Sequence, residues 1–272
     1  MIPAPFTYQR ARTVEEAIEL AGEAGDDGKF LAGGHSLLPL MKLRFAVPEV
    51  LIDIGRLDEL SYIRDEDGHL VVGALTRHHD LEHSGLLAAE LPLLARAAGA
   101  VGDPQVRHRG TIGGSLVHGD PASDLPAVCL ALDATLIARG PSGSREIAIT
   151  DFFRGLFEIA LEPGELLTGI RIPKPAERGW SFQKFTKRAI DWAIVGVAVQ
   201  GGRVALVNMG SVPTRAAAVE RALAAGEGPN AAAAHAAEDT SPVSDINASA
   251  AYREHLARVL TARALGEAAS RS

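Results

Sequence analysis

The chain has 272 residues with 47% hydrophobic content, enough to bury one large core or two modest ones. Its formal net charge of -7 and its pI near 5.7 argue against a nucleic-acid-binding protein, which would usually carry a basic patch. Residues 1–5 lack the charged start and apolar core of a signal peptide, and no apolar stretch is long enough to span a membrane. We therefore expect a soluble cytoplasmic protein without a transmembrane segment.

The single cysteine, Cys129, lies in the apolar run 125–132. A lone cysteine in such a run is more typical of a small core residue than of a reactive thiol. One thiolate cannot hold an iron–sulfur cluster or a Cys-rich zinc site. His78, His79 and His83 could suggest a metal site, but no carboxylate spacing of a known site accompanies them. We prefer to interpret them as the start of a surface helix.

The first part of the chain alternates between predicted helices and strands. Thr13, followed by Glu16 three residues later, forms a capping box and predicts a helix to about residue 21. A short strand at 29–32, a helix at 37–43 and a strand at 50–54 follow. A hairpin around residues 65–68 and helices at 76–83 and 91–100 are predicted next. This order indicates an α/β or α+β arrangement.

Residues 106–124 contain four glycines and few residues that could pack a helix, so we predict a long functional loop there. A helix around Cys129 and strands at 134–138, 146–149 and 164–173 follow. The cluster 174–179, with its proline and glycine, is the best domain boundary. Beyond it we expect a small α+β domain. Its predicted elements are an edge strand at 180–185, two strands at 193–200 and 203–209 that form a hairpin around Gly201-Gly202, and two helices at 214–225 and 248–265.

Two segments share one local pattern, an apolar residue and paired glycines followed by a serine. They are Ala32-Gly33-Gly34-His35-Ser36 and Thr111-Ile112-Gly113-Gly114-Ser115. Glycine lets the backbone approach a ligand closely, and consecutive N–H groups can form a concave anion site. An ordinary turn without a ligand explains either segment alone. Neither a dinucleotide-binding fingerprint nor a P-loop is present. Together the two segments predict a cofactor that carries phosphate.

The same segments resemble those of the FAD-binding medium subunits of molybdenum hydroxylases, in the xanthine dehydrogenase family and closest to its aerobic carbon monoxide dehydrogenase group. The resemblance covers nearly the whole chain in order and spacing. The matching stretches are Ile2–Phe6, Leu31–Arg44, Val106–Asp124, Lys184–Val199, Asp245–Ala248 and Tyr252-Arg253.

This resemblance implies an α+β fold with a PCMH-type, vanillyl-alcohol-oxidase-like FAD-binding domain in residues 1–176. That domain would have two α/β subdomains, about 1–55 and 56–176. A C-terminal domain, residues 177–272, would carry a three-stranded antiparallel sheet with helices and close over the isoalloxazine. The resemblance implies no catalytic or metal-binding residue in this chain. The implied FAD contacts are Ala32, Gly33, Gly34, His35, Ser36, Leu37, Thr111, Ile112, Gly113, Gly114, Ser115, Asp120, Ser123, Asp124, Lys184 and Trp192.

The resemblance also implies roles for these residues. The two glycine segments would bind the pyrophosphate through backbone amides and serine hydroxyls, and Asp124 would accept a ribityl hydroxyl. A helix N-cap is the alternative for Asp124. Lys184 matches a lysine near the flavin, and Trp192 matches an aromatic position beside the ring. Their alternatives are a solvated strand cation and ordinary core packing. His35 is assigned to cofactor contact only, because related segments often carry Thr there.

The function implied is electron transfer in a larger enzyme. A large subunit would carry the molybdenum cofactor, and a small subunit would carry two [2Fe–2S] clusters that pass electrons to FAD here and on to an external acceptor. A dimer of such heterotrimers is expected. Carbon monoxide is the substrate favoured by resemblance, with N-heterocycles and aldehydes still open. The alternatives are a stand-alone FAD oxidase or reductase and a non-catalytic scaffold domain.

Overall fold

The computed structural model describes residues 2–271, and Met1 and Ser272, the outer ends of the predicted domains, lie outside the described residues. The described chain forms three main sheets, each packed against helices. Within residues 2–271, no helix combines the length and apolar character needed to cross a membrane.

The first unit is a three-stranded parallel sheet in the order β1-β3-β2. Its helix α1 begins where the capping box predicts, since the Thr13 hydroxyl accepts a hydrogen bond from the N–H of Glu16. The apolar stripe of α1 packs on the sheet through Val14, Ala17 and Ile18, which are buried. The elements are β1 (Thr7–Arg10), α1 (Val14–Ala24), β2 (Gly28–Leu31), α2 (Leu37–Leu43) and β3 (Val50–Asp53).

The second unit is a five-stranded antiparallel sheet in the order β4-β5-β10-β6-β7, with a small β8-β9 hairpin beside it. Helices cover this sheet and form the largest core with it. The elements are β4 (Ile63–Glu66), β5 (His69–Gly73), α3 (His78–Glu82), α4 (Gly85–Glu90), α5 (Pro92–Gly99), α6 (Pro104–Arg109), α7 (Ile112–His118), α8 (Asp124–Ala131), β6 (Thr135–Gly140), β7 (Gly143–Ala148), α9 (Ile149–Phe152), β8 (Phe153–Gly155), β9 (Glu158–Ile159) and β10 (Leu166–Pro173).

The predicted loop at 106–124 is wrong, because this region contains α6 and α7. Asp103 caps α6 with its carboxylate on the N–H of Val106, and Pro104 occupies the first turn. Thr111 caps α7 in the same way, through a hydrogen bond from the N–H of Gly114. The glycines concealed these short helices, although both caps were readable in the sequence.

The third unit is an antiparallel sheet in the order β11-β12-β13-β14, so the predicted sheet gains a fourth, two-residue strand. The predicted helix at 214–225 accordingly starts later, because residues 214–215 pair with β13. The elements are β11 (Trp180–Phe185), β12 (Val195–Gln200), β13 (Arg203–Val207), β14 (Thr214–Arg215), α10 (Ala217–Ala224), α11 (Pro229–Ala233) and α12 (Ala250–Ala269).

Strand β12 is buried along its whole length, because both faces of its sheet are covered. The valines at 195, 197 and 199 pack toward α12, whereas Ala198 faces the opposite side and joins the core of the second unit. Successive side chains of a strand point to opposite faces, so this small residue leaves room for α8 to pack closely. The third unit is thereby fixed against the helix that begins at Asp124.

The first two units meet where Gly33 touches the backbone of residues 109 and 110. A Cβ atom at Gly33 would lie 2.2 Å from the carbonyl oxygen of Arg109. Arg77 reinforces this contact, since its guanidinium donates to the carbonyls of Arg109 and Gly55. A side chain at residue 33 is therefore excluded by the protein itself.

We predict that Gly33→Ala lowers the free energy of unfolding by about 1–3 kcal/mol, the usual cost of overpacking a rigid site. Gly22→Ala is the matched control, because Gly22 lies within α1 and a Cβ there meets no atom within 4 Å. That control should stabilise the chain by about 0.5–1 kcal/mol. Urea unfolding of both variants measures the difference, and equal effects would contradict the close contact.

Candidate functional site

Residues Gly33 to Ser36 form a turn between the end of β2 and the start of α2. Within residues 2–271, no acceptor takes a hydrogen bond from the N–H groups of Gly33, Gly34, His35 or Ser36. Gly34 has a φ of 76°, in the left-handed region that glycine adopts without strain. The segment therefore offers a row of unpaired donors beside the first turn of a helix, a suitable arrangement for an anion.

The predicted neighbours of this turn lie at its edges. Ala32 and Leu37 flank it and are partly buried, and His35 is exposed. Ser36 occupies the N-cap position of α2, and its hydroxyl makes no capping hydrogen bond. The Ser36 hydroxyl is thus available to a ligand as one more donor.

The second glycine segment forms the first turn of α7, and its backbone is already paired. Ile112 and Gly113 donate their N–H groups to the carbonyls of Thr76 and Ala74, and Gly114 and Ser115 donate to Thr111. These N–H groups of the segment are therefore not free to bind the pyrophosphate in this structure, contrary to what the resemblance implies. Its glycines serve packing instead, since a Cβ at Gly113 would lie 2.6 Å from the carbonyl oxygen of Ala74.

The side chain of Ser115 is the polar group of this turn that faces a buried histidine. The Ser115 hydroxyl lies 3.4 Å from Nε2 of His78, and His78 is 2% exposed. Burial lowers the pKa of His78 to about 4, with a further lowering from the nearby Arg77, so the imidazole is neutral at pH 7. The interpretation of His78 as a surface residue is wrong, whereas His79 is partly exposed and His83 is exposed.

Three of the other histidines stack on one another. The rings of His83, His79 and His108 stack in sequence, with centroid distances of 4.3 and 4.1 Å. In the part of the chain that the structure describes, no group of three or more His, Cys, Asp or Glu residues could hold a metal ion. Cys129 is fully buried, as predicted, and burial raises the pKa of its thiol to about 12.

Asp120, Ser123 and Asp124 lie in the turn between α7 and α8. The Asp120 carboxylate accepts from the N–H of Ala122, and its carbonyl accepts from the N–H of Ser123, which closes the turn. Asp124 is the first residue of α8, and its side chain makes no capping hydrogen bond. The N-cap alternative for Asp124 is therefore wrong.

A buried ion pair joins Asp124 to Lys184. Nζ of Lys184 lies 2.6 Å from Oδ2 of Asp124 and also donates to the carbonyl of Ala100 at 2.9 Å. The two side chains are 10% and 5% exposed, so Lys184 is not a solvated strand cation. On β11, Lys184 shares a face with Trp180 and Phe182, and this face packs against the second unit. The two residues are 60 positions apart, and no sequence pattern relates them.

Oδ1 of Asp124 is buried and has no hydrogen-bond partner in the structure. Burial raises the pKa of Asp124 to about 6, although the Lys184 cation opposes the shift. An unpaired buried carboxylate oxygen is costly, so it is suited to accept a hydrogen bond from a ligand hydroxyl. Lys184 also lines a cleft of about 640 Å³ between α5 and β11.

Trp192 lies in the segment between β11 and β12 with 58% of its surface exposed, so the core-packing alternative is wrong. The structure thus places the free N–H groups beside the second unit, which carries Ser115, and joins the second and third units through the Asp124–Lys184 pair. Two of these features fit FAD, namely the row of unpaired donors for the pyrophosphate and the unpaired Asp124 oxygen for a ribityl hydroxyl. The sequence interpretation missed the contacts of Arg77 and His78. They donate to the carbonyls of Arg109 and Gly110 beside Gly33, and His78 also contacts the Ser115 hydroxyl.

From the raised pKa of Asp124 we predict how the stability of the chain depends on pH. Its pKa is about 6 in the folded chain and 3.8 in the reference state, so the unfolded chain loses its proton first as the pH rises. The stability contributed by Asp124 is therefore complete only well below pH 4, and it falls as the pH rises through 6. Relative to Asp124→Asn, the free energy of unfolding of the native chain should fall by about 2 kcal/mol between pH 4 and pH 7. Urea unfolding at both pH values measures this, and parallel pH profiles would contradict the raised pKa.

The chain is similar to known flavoproteins along nearly its whole length. Residues 4–175 match the family model "FAD binding domain in molybdopterin dehydrogenase", and residues 180–268 match "CO dehydrogenase flavoprotein C-terminal domain". The carbon monoxide dehydrogenase medium chain of Hydrogenophaga pseudoflava is 42% identical over 100% of this chain and 99% of its own length. The 6-hydroxypseudooxynicotine dehydrogenase complex subunit alpha of Paenarthrobacter nicotinovorans is 39% identical, covering 100% and 97%.

The fold is shared with solved structures over the full length. A carbon monoxide dehydrogenase from Hydrogenophaga pseudoflava matches with a TM-score of 0.95 and 43% identity, covering 100% of this chain and 99% of the other. Both the FAD-binding domain and the C-terminal domain are therefore present in one chain. The chain belongs to the family of FAD-binding flavoproteins of the molybdopterin dehydrogenases.

Proposed function

We propose that this chain is the FAD-bearing medium subunit of a carbon monoxide dehydrogenase. The full-length similarity to the Hydrogenophaga pseudoflava medium chain supports this enzyme class. The observation that carries the cofactor assignment is the row of unpaired N–H groups from Gly33 to Ser36, which has no acceptor within the described protein.

Residues 1–176 bind FAD in this proposal, and residues 177–272 close over its isoalloxazine. The amides at 33–36, with Ala32 and Leu37 flanking them, hold the pyrophosphate, while the Ser36 and Ser115 hydroxyls add donors. Thr111, Ile112, Gly113 and Gly114 build the turn that presents Ser115. Oδ1 of Asp124 accepts a ribityl hydroxyl beside the turn of Asp120 and Ser123. Lys184 and Trp192 lie beside the ring.

FAD supplies the ability to take up single electrons and to release them singly or in pairs. The chain's own residues bind and orient the cofactor and stabilise negative charge on its ring. The Lys184 ammonium favours negative charge near the ring, while its contact with Asp124 fixes its position. The chain has one cysteine, which is too few thiolates for an iron–sulfur cluster.

The partners in this proposal are a large subunit with the molybdenum cofactor and a small subunit with two [2Fe–2S] clusters. In that complex the clusters would supply electrons, and this chain would hold the FAD from which an external acceptor takes them. The description of the relatives as medium chains supports a place among several subunits. A dimer of such heterotrimers and a cytoplasmic location belong to the same proposal, on the basis of the family resemblance.

A hydroxylase for an N-heterocycle or an aldehyde is the second candidate. The Paenarthrobacter relative is 39% identical, close to the 42% of the carbon monoxide dehydrogenase chain, so similarity alone separates the two weakly. Co-purification of the native complex followed by assays with carbon monoxide, an N-heterocycle and an aldehyde decides between them. Turnover of carbon monoxide supports the first candidate, and turnover of only another substrate supports the second.

We predict that Gly34→Val abolishes FAD binding and interrupts electron flow in the assembled enzyme. A β-branched residue is a strong outlier at a φ of 76°, so the turn that presents the free N–H groups must change shape. Substrate should still reduce the iron–sulfur clusters of this variant, while reduction of an external dye stops. Flavin content and cluster absorbance measure the two effects separately.

The control is Gly68→Val, which introduces the same strain at a hairpin with a φ of 80° and open space around it. This variant should keep its flavin and its dye reduction. Normal flavin content in Gly34→Val would refute the assignment of the pyrophosphate to residues 33–36.

A further inference from the structure

Hydrogen bonds to the backbone carbonyl groups of the residues after Trp192 fix the position of the Trp192 segment. Trp192 itself is largely exposed, so packing of its own ring does not fix its place. The two residues that follow, Ala193 and Ile194, are 2% and 7% exposed. Their carbonyl oxygens accept hydrogen bonds from side chains at Asn208 and Arg253, far along the chain.

Asn208 makes three hydrogen bonds that connect two parts of the site. Its Nδ2 donates to the carbonyl of Ala193 at 2.8 Å and to that of Ile194 at 3.3 Å. Its backbone N–H donates to the carbonyl of Pro121 at 2.8 Å. Pro121 lies in the turn between Asp120 and Asp124. One residue thus connects the Trp192 segment to the acidic turn across the domain junction.

The backbone of Asn208 is suited to this position. Its φ is 63°, in the left-handed region, and asparagine enters that region more readily than most residues. The residue follows the last paired residue of β13, so the left-handed turn ends the strand and directs the N–H toward Pro121.

Arg253 supplies a second donor to the same segment. Its side chain is 1% exposed, and Nη1 donates to the carbonyl of Ile194 at 2.5 Å while Nη2 lies 2.8 Å from Oδ2 of Asp245. Hydrogen bonds from the N–H groups of Asn247 and Ala248, with the Arg253 cation, lower the pKa of Asp245 and keep it ionised. A buried guanidinium needs such partners, so Arg253 fixes Ile194 from the side of α12.

We infer that Asn208 is a positioning residue for the flavin site. It sets the Trp192 segment relative to the turn at Asp120–Asp124, and Arg253 supports the same carbonyl from behind. This inference rests on the proposed function, in which Trp192 lies beside the isoalloxazine. Loss of the Asn208 amide should loosen the Trp192 segment while FAD remains bound through its pyrophosphate.

The test uses Trp192 as its own reporter. The chain has two tryptophans, so Trp180→Phe leaves Trp192 as the single emitter. In this background, FAD binding should quench the Trp192 emission. Asn208→Gly keeps the left-handed backbone and the N–H to Pro121 but removes the amide donors. It should lose part of the quenching and show lower emission anisotropy, while FAD affinity falls by no more than about tenfold.

Asn208→Asp is the second variant, because it keeps side-chain volume and left-handed tolerance but replaces the donating amide with a carboxylate. It should reproduce the loss of quenching, even if Asn208→Gly folds poorly. Asp239→Gly is the control, since Asp239 has a φ of 59° at an exposed site and should leave the quenching unchanged.

The outcomes separate the two claims. Full quenching and unchanged anisotropy in both Asn208 variants would overturn the positioning role, even if their melting temperatures fall. Absence of quenching in the Trp180→Phe parent with FAD bound would place Trp192 away from the ring, which would overturn that part of the proposed function and the inference with it.

Discussion

The contact between Gly33 and the backbone of residues 109 and 110 is the constraint on which the site depends. A side chain at residue 33 would meet the carbonyl of Arg109, so only glycine lets the first sheet approach the second unit this closely. Arg77 then bridges the carbonyls of both sides. The approach brings the unpaired N–H groups at 33–36 toward the helix that carries Ser115, although the two segments are far apart in sequence.

The Asp124–Lys184 pair makes a second connection, between the FAD-binding units and the C-terminal sheet. A buried pair of this kind is weak evidence for stability, because its desolvation can cost as much as the attraction returns. Its geometry leaves Oδ1 of Asp124 unpaired, and that oxygen raises the free energy of the chain without a ligand. In the proposed function, a ribityl hydroxyl that donates to this oxygen offsets that cost. Asn208 connects the same turn to the Trp192 segment, so the acidic turn is held by both contacts.

Much of the fold could be predicted from local pattern. The capping box at Thr13, the strand 50–53 and the hairpin at Gly201-Gly202 all follow from short-range rules. Helix α7 was missed because its paired glycines outweighed its N-cap, and α6 was missed because it has only six residues. The roles of the glycines differed as well, since Gly33 and Gly113 contact protein backbone where ligand contact was expected.

The contacts between units could not be predicted from one sequence. Lys184 and Asp124 are 60 residues apart, and no periodicity relates them. Asn208 resembles an ordinary turn residue until its amide is found on the carbonyls of residues 193 and 194. The family resemblance supplied FAD and the site residues, while their supporting partners Arg77, His78 and Asn208 emerged only from the packing of the three units.

The most direct test of this account is a crystal structure of the chain with FAD bound. We predict that the pyrophosphate oxygens accept hydrogen bonds from the backbone N–H groups of residues 33–36 and that Oδ1 of Asp124 accepts one from a ribityl hydroxyl. A pyrophosphate bound elsewhere, with those N–H groups facing solvent, would contradict the account.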